Sequence, residues 1–105
     1  MFVQIRTDNQ IVSDAESNER LEQRVREKLG RFEKRLTHVE LHIEDVNGAK
    51  GGAADKRVSL EARPSGHQPV AVHAEAARVD AAVTAAADKA TRALDNLFGK
   101  LAARH

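Results

Sequence analysis

Residues 20–36, RLEQRVREKLGRFEKRL, carry a single apolar stripe, and a single stripe has to be covered by something else. Leu21, Val25, Leu29, Phe32 and Leu36 follow one another at steps of four, four, three and four. At about 100° per residue those steps keep all five on one side of a helix. Arg20, Arg24, Lys28, Arg31 and Arg35 repeat the same steps one residue earlier. A line of positive charge therefore runs beside the apolar stripe, rotated from it by about 100°. Glu19, Glu22 and Glu33 fall on the far flank, and Glu27 lies nearer the basic side. The cationic line is either an anion-binding surface or a solvated face held in i,i+4 pairs such as Glu27 with Arg31.

The rest of the chain shows what can cover the stripe. Residues 2–6 alternate, with Val3 and Ile5 pointing one way, and read as a short first strand. Residues 7–17 are polar, with Ile11 and Val12 as an anchor. Asn18 is the expected N-cap of the basic helix, with Ser13 or Asp14 as earlier starts. Residues 37–46 place Val39, Leu41 and Ile43 on one face and His38, Glu40, His42 and Glu44 on the other. The stretch 47–55, NGAKGGAAD, has three glycines and no apolar anchor and reads as a mobile hairpin loop. Residues 56–63 form the next strand, with Val58, Leu60 and Ala62 inward, and 64–69, PSGHQP, a turn between prolines. Residues 70–76 close the meander with Val70, Val72 and Ala74 inward.

From residue 78 to 102 the chain is alanine-rich and helical. Val79, Val83, Ala86, Ala90, Leu94, Leu97 and Leu101 form its apolar line. Arg78, Lys89, Arg92 and Lys100 flank that line on one side, and Asp80, Asp88 and Asp95 on the other. The order is β-α-β-β-β-α. Three alternating strands make an antiparallel meander with one apolar face, and two helices with one stripe each must cover that face. The expected fold is an α+β two-layer sandwich. A four-stranded sheet carries both helices on one side, in a single domain over residues 1–105.

Charge is segregated rather than abundant. The net charge is only +1, but residues 18–36 hold seven Lys/Arg against four Asp/Glu, and residues 77–105 five against three. Residues 1–17 and 37–76 are each acidic by two charges. Positive charge concentrated on two helices is the footprint of a partner rich in phosphate. With three Phe, no Trp and no Tyr, stacking of bases on aromatic platforms is a weak expectation. Without cysteine there is no disulfide framework and no thiolate chemistry. No run approaches the roughly 20 apolar residues of a membrane span, and residues 1–10 lack the apolar core of a signal peptide. A cytoplasmic location with no membrane partner is expected.

No catalytic constellation is present. Ser59 and Ser65 lack a G-x-S-x-G context, and GAKGGAAD lacks the G-K-S/T ending of a phosphate loop. His38, His42 and His73, with Glu40, Glu44 and Glu75, share the outward sheet face. They sit on separate strands with nothing to fix a fourth ligand, so they read as solvent-face residues and no metal is expected. The chain reads as a non-enzyme without a cofactor.

Two helix patterns and their order resemble the ribosome hibernation-promoting factor family, also called ribosome-associated inhibitors or sigma modulation proteins, in its short form. The first is Val25-x-x-x-Leu29-x-x-Phe32-Glu33-Lys34. The second is Ala82-Val83 followed by Asp88-Lys89-x-x-Arg92-x-Leu94. The polar-outward strand from His38 to Glu44 is similar too. Arg78 and Asp80 stand where that family usually opens its second helix with an acid and then an aromatic. The resemblance implies binding to the small ribosomal subunit and its rRNA, and silenced translation or protected idle ribosomes under stress. The residues expected to bind RNA are Arg20, Arg24, Lys28, Arg31, Lys34, Arg35, Lys89 and Arg92; the family pattern places basic residues at Lys89 and Arg92, whereas Arg24, Lys28 and Arg31 rest mainly on the basic stripe. The contrasting reading is a protein-interaction module that forms a weak homodimer through its exposed sheet face. In a third reading, the helices lie parallel and one basic flank is spent on the acidic flank of its neighbour, which leaves the other free.

Overall fold

The computed structural model describes residues 1–8, 15–45 and 56–103, with side chains described as far as residue 99. The elements run β1 (Phe2–Thr7), α1 (Ala15–Leu29), a 3₁₀ segment (Gly30–Arg35), β2 (Leu36–Asp45), β3 (Lys56–Pro64), β4 (Val70–Ala76) and α2 (Val79–Ala103). The sheet order is β1-β2-β3-β4. β1 pairs with β2 in parallel, and β2, β3 and β4 form the antiparallel meander. A parallel neighbour requires a crossover, and α1 supplies it. The expected α+β sandwich is the observed one.

The alternation decides which face is covered. Val3, Val39, Leu41, Ile43, Val58, Leu60, Ala62 and Ala74 join one buried cluster with Val25, Leu29 and Phe32 and with Val83, Ala86, Ala90 and Leu94. Strands and both helices thus share one core, and both helices lie on one sheet face. The intervening sheet residues are exposed or half-buried. Alanines at 82, 86, 87 and 90 are fully buried, so the backbone of α2 lies close to what it covers.

Three local expectations are corrected. α1 begins at Ala15, so Asn18 lies within its first turns and is not the cap. The α-helix does not run on to Leu36. It ends at Leu29, whose φ of −101° and ψ of 7° leave helical geometry, and Gly30–Arg35 winds as a 3₁₀ helix. Leu36 is buried as the first residue of β2 and not as the last of a helix. A bulge between Leu36 and His38 reconciles the two patterns, because the extra residue lets Leu36 and Val39 point inward despite their odd spacing. The 3₁₀ winding also moves Arg35. With three residues per turn it eclipses Phe32 and leaves the line of Arg31. In the last helix, Phe98 is buried beside Phe32 with ring centroids 5.7 Å apart, a core position absent from the expected apolar line. The expected mobile loop at 47–55 and the anchor Ile11–Val12 lie outside the described residues.

The close approach of α2 gives a direct test. Ala86→Leu should lower unfolding stability by about 1–3 kcal/mol through overpacking, read from urea denaturation, whereas Leu94→Ala should cost about 2–5 kcal/mol through a cavity.

Candidate nucleic-acid interface

Because α1 and α2 share one face of the sheet, their flanks meet, and the meeting flanks carry opposite charge. Arg24 donates to the hydroxyl oxygen of Thr84 at 3.0 Å and reaches the Asp80 carbonyl at 3.5 Å. The Lys28 ammonium lies 3.0 Å from the Asp88 carboxylate, and Arg31 pairs with Asp95. Partner numbers rise together along both helices, so α1 and α2 run parallel. Asp80, Thr84, Asp88, Thr91 and Asp95 follow the same four, four, three, four steps as the basic line of α1. Thr91 completes the seam, its hydroxyl 2.9 Å from the Ala87 carbonyl and 3.4 Å from that of Lys28.

This seam is the third reading of the sequence, realised on α1. Arg24, Lys28 and Arg31 are exposed, as expected, but each is already engaged across the helix pair. The Lys28 and Asp88 side chains are 42% and 45% exposed, so the pair contributes only about 0.2–1 kcal/mol to folding. Its larger effect is electrostatic: Asp88 and Asp95 screen Lys28 and Arg31 within a Debye length, about 8 Å at physiological salt, whereas Arg24 meets only a hydroxyl and a carbonyl oxygen.

The remaining cations stand elsewhere. Arg92, one helical turn beyond Asp88 on α2, is exposed and has no hydrogen-bond or ion-pair partner among the described residues. Lys89 is one turn earlier; its ammonium donates to the His73 carbonyl at 2.9 Å, capping the outer edge of β4. Arg20 lines a groove of about 300 Å³ with Ser17, Leu21, Arg24, Val79 and Asp80. Lys34 is exposed on the 3₁₀ segment and has no partner among the described residues. Arg35 places its guanidinium 3.7 Å from the centroid of the Phe98 ring. The structure thus divides the eight candidates into a seam of three and a dispersed set of five, and brings Arg35 to an aromatic cluster. The signal for the seam was in the sequence, as matching steps on two helices. The signal for Arg35 was not, since it depends on the switch to 3₁₀ winding.

The open sheet face is polar and mixed. A hollow of about 360 Å³ on it is lined by Glu40, His42, Ser59, Glu61, Arg63 and His73 among others. Glu40 and Glu61 are directly opposed across β2 and β3, and each has its own cation, Arg6 at 3.1 Å and Arg63 at 2.7 Å. The ring of His42 lies between Asp8 at 2.9 Å and Glu44 at 3.8 Å. His73 stands two strands away, a spacing of about 10 Å. No group of three His, Asp or Glu side chains among the described residues is placed to hold a metal. No helix among them is long and apolar enough to cross a membrane.

Fold and surface together define a two-layer α+β module with exposed cations along its helical layer. The chain belongs to the sigma 54 modulation protein / S30EA ribosomal protein family, whose model matches residues 10–102. A comparison with curated proteins finds no match. Among solved structures, the fold is similar to the N-terminal domain of Protein Y from Thermus thermophilus, with TM-score 0.65 and 20% identity over 92% of this chain and 99% of that one. It is also similar to a ribosomal subunit interface protein from Coxiella burnetii, with TM-score 0.70 and 17% identity over 94% and 99% of the two chains.

If the seam screens α1, removing its acids should unmask the cations. The double variant Asp88→Asn with Asp95→Asn should elute from heparin at distinctly higher salt than the parent, while Lys28→Ala alone should shift elution little. Equal elution of parent and double variant would show that the aspartates do not screen.

Proposed function

We propose that the chain is a cytoplasmic ribosome-associated protein that docks on the small subunit through ribosomal RNA and silences translation or protects idle ribosomes under stress. The observation that carries this reading is the family match over residues 10–102, whose description names a ribosomal protein. The Coxiella neighbour, a ribosomal subunit interface protein, supports it at the level of fold. Function on this reading is binding and steric occupation, with no bond made or broken.

The geometry ranks the residues. Phosphate contacts release counterions and position a protein without reading sequence. Lys89 and Arg92 are best placed, because no carboxylate among the described residues pairs with either. Arg20, Lys34 and Arg35 come next. Arg24, Lys28 and Arg31 can take a phosphate only by sharing it with the groups of the seam, and Asp88 and Asp95 would repel it. On this reading the seam chiefly screens the basic line of α1, and Lys89 and Arg92 on α2 meet RNA.

Sedimentation of a lysate through a gradient should place the protein with the 30S and 70S peaks. Lys89→Ala with Arg92→Ala should weaken that association and flatten its log–log salt dependence by up to about two units, one for each phosphate that is no longer neutralised, at unchanged melting temperature. Lys28→Ala with Arg31→Ala should flatten it less. A folded Lys89→Ala/Arg92→Ala variant with an unchanged salt slope would remove the RNA reading, and equilibrium sedimentation would then test for a dimer through the sheet face.

A further inference from the structure

At the end of the molecule where α2 finishes, the 3₁₀ segment and the β3–β4 turn are bound into one surface. The Ser65 amide donates to the Arg35 carbonyl at 2.9 Å, and the His67 amide donates to the Pro64 carbonyl at 3.2 Å, closing a tight turn. Gly66 occupies the third position of that turn with φ of 78°, a conformation that a side chain disfavours. The closed turn directs His67 toward α2, where its ring meets Phe98 edge-on, with centroids 6.4 Å apart at 74°. Arg35 lies over the same phenyl ring at 3.7 Å, and Phe32 backs it from within the core. Phe98 is buried, whereas Arg35 and His67 are exposed. A cationic planar group is therefore held over a buried aromatic ring, an imidazole stands edge-on to the same ring, and both residues are open to solvent. Exposed Lys34 is the residue next to Arg35.

We infer that Arg35 and His67 form a stacking ledge for an unpaired RNA base, with Lys34 taking the adjoining phosphate. A guanidinium already packed on a ring is pre-organised, so little side-chain freedom is lost when a base covers its free face. Arginine and histidine planes can take the part that tryptophan and tyrosine would otherwise play, and this chain has neither of those residues. The inference deepens the ribosomal RNA reading by adding a contact to bases where Lys89 and Arg92 would contact only phosphates.

The test is a titration of isotope-labelled intact protein, followed by NMR, with a single-stranded oligoadenylate eight-mer and separately with inorganic polyphosphate of equal charge. The ledge is supported if the His67 ring protons and the Arg35 Nε–H move upfield with the oligonucleotide and not with polyphosphate. Arg35→Lys keeps the charge and loses the plane, and His67→Ala removes the second plane. Each should weaken oligoadenylate binding about fivefold or more and leave polyphosphate binding unchanged. Equal shifts with both ligands, or unaltered oligoadenylate binding by both variants, would overturn the ledge. The measurement uses no ribosome, so its failure is distinct from failure to sediment with 30S and 70S particles.

Discussion

The sheet has only one apolar face, and the placement of both helices follows from it. Val3, Val39, Leu41, Ile43, Val58, Leu60 and Ala62 all point to the same side and are buried. The two helices therefore have to share that side, and two helices on one four-stranded sheet are neighbours. Their parallel direction follows from the topology, since each helix runs back after a strand of the same sense: α1 follows β1 and α2 follows β4, and β4 is parallel to β2 and hence to β1. Once the helices are parallel neighbours, two flanks meet along their whole length. Matching four, four, three, four steps then bring the basic line against a hydroxyl at one level and against carboxylates at two more.

This pairing changes what the cationic line of α1 can do. A stripe of five regularly spaced cations on an isolated helix is the most conspicuous electrostatic feature of the chain. In the folded protein Lys28 and Arg31 are paired with aspartates, at a gain in stability of no more than about 1 kcal/mol per exposed pair, and Arg24 is held by the Thr84 hydroxyl and the Asp80 carbonyl. The same contact that aligns the helices removes those cations from long-range attraction of a polyanion. The less conspicuous pair on α2, Lys89 and Arg92, is the one proposed to meet phosphate, since neither has a carboxylate partner among the described residues. The open sheet face has a different character: opposed glutamates each compensated by an arginine, and histidines held near carboxylates, leave a mixed surface with no dominant sign.

Much of this was legible in the sequence. Alternation and helical steps gave the β-α-β-β-β-α order and the side that is buried, because those periods are properties of the backbone itself. The family resemblance was legible in the spacing of Val25, Leu29 and Phe32 and of Asp88, Lys89 and Arg92, and the family model matches residues 10–102, which hold both patterns. Even the seam could be formulated, as a consequence of parallel helices with matching steps.

Other features belonged to the tertiary structure. That α1 stops at Leu29 was hidden because Phe32 and Leu36 remain apolar at helical spacing. The 3₁₀ turn and the bulge after Leu36 bury the same residues by a different path. Which cations stay free could not be read from one segment, because screening is decided by what lies across a helix–helix contact about sixty residues away in the chain. The cluster of Arg35, His67 and Phe98 joins three segments that only the folded sheet brings together. Periodicity, and with it the two layers, is a local property and is written into the chain residue by residue. Which charges face water and which planes meet is set by contacts between distant parts of the chain, and only folding makes those contacts.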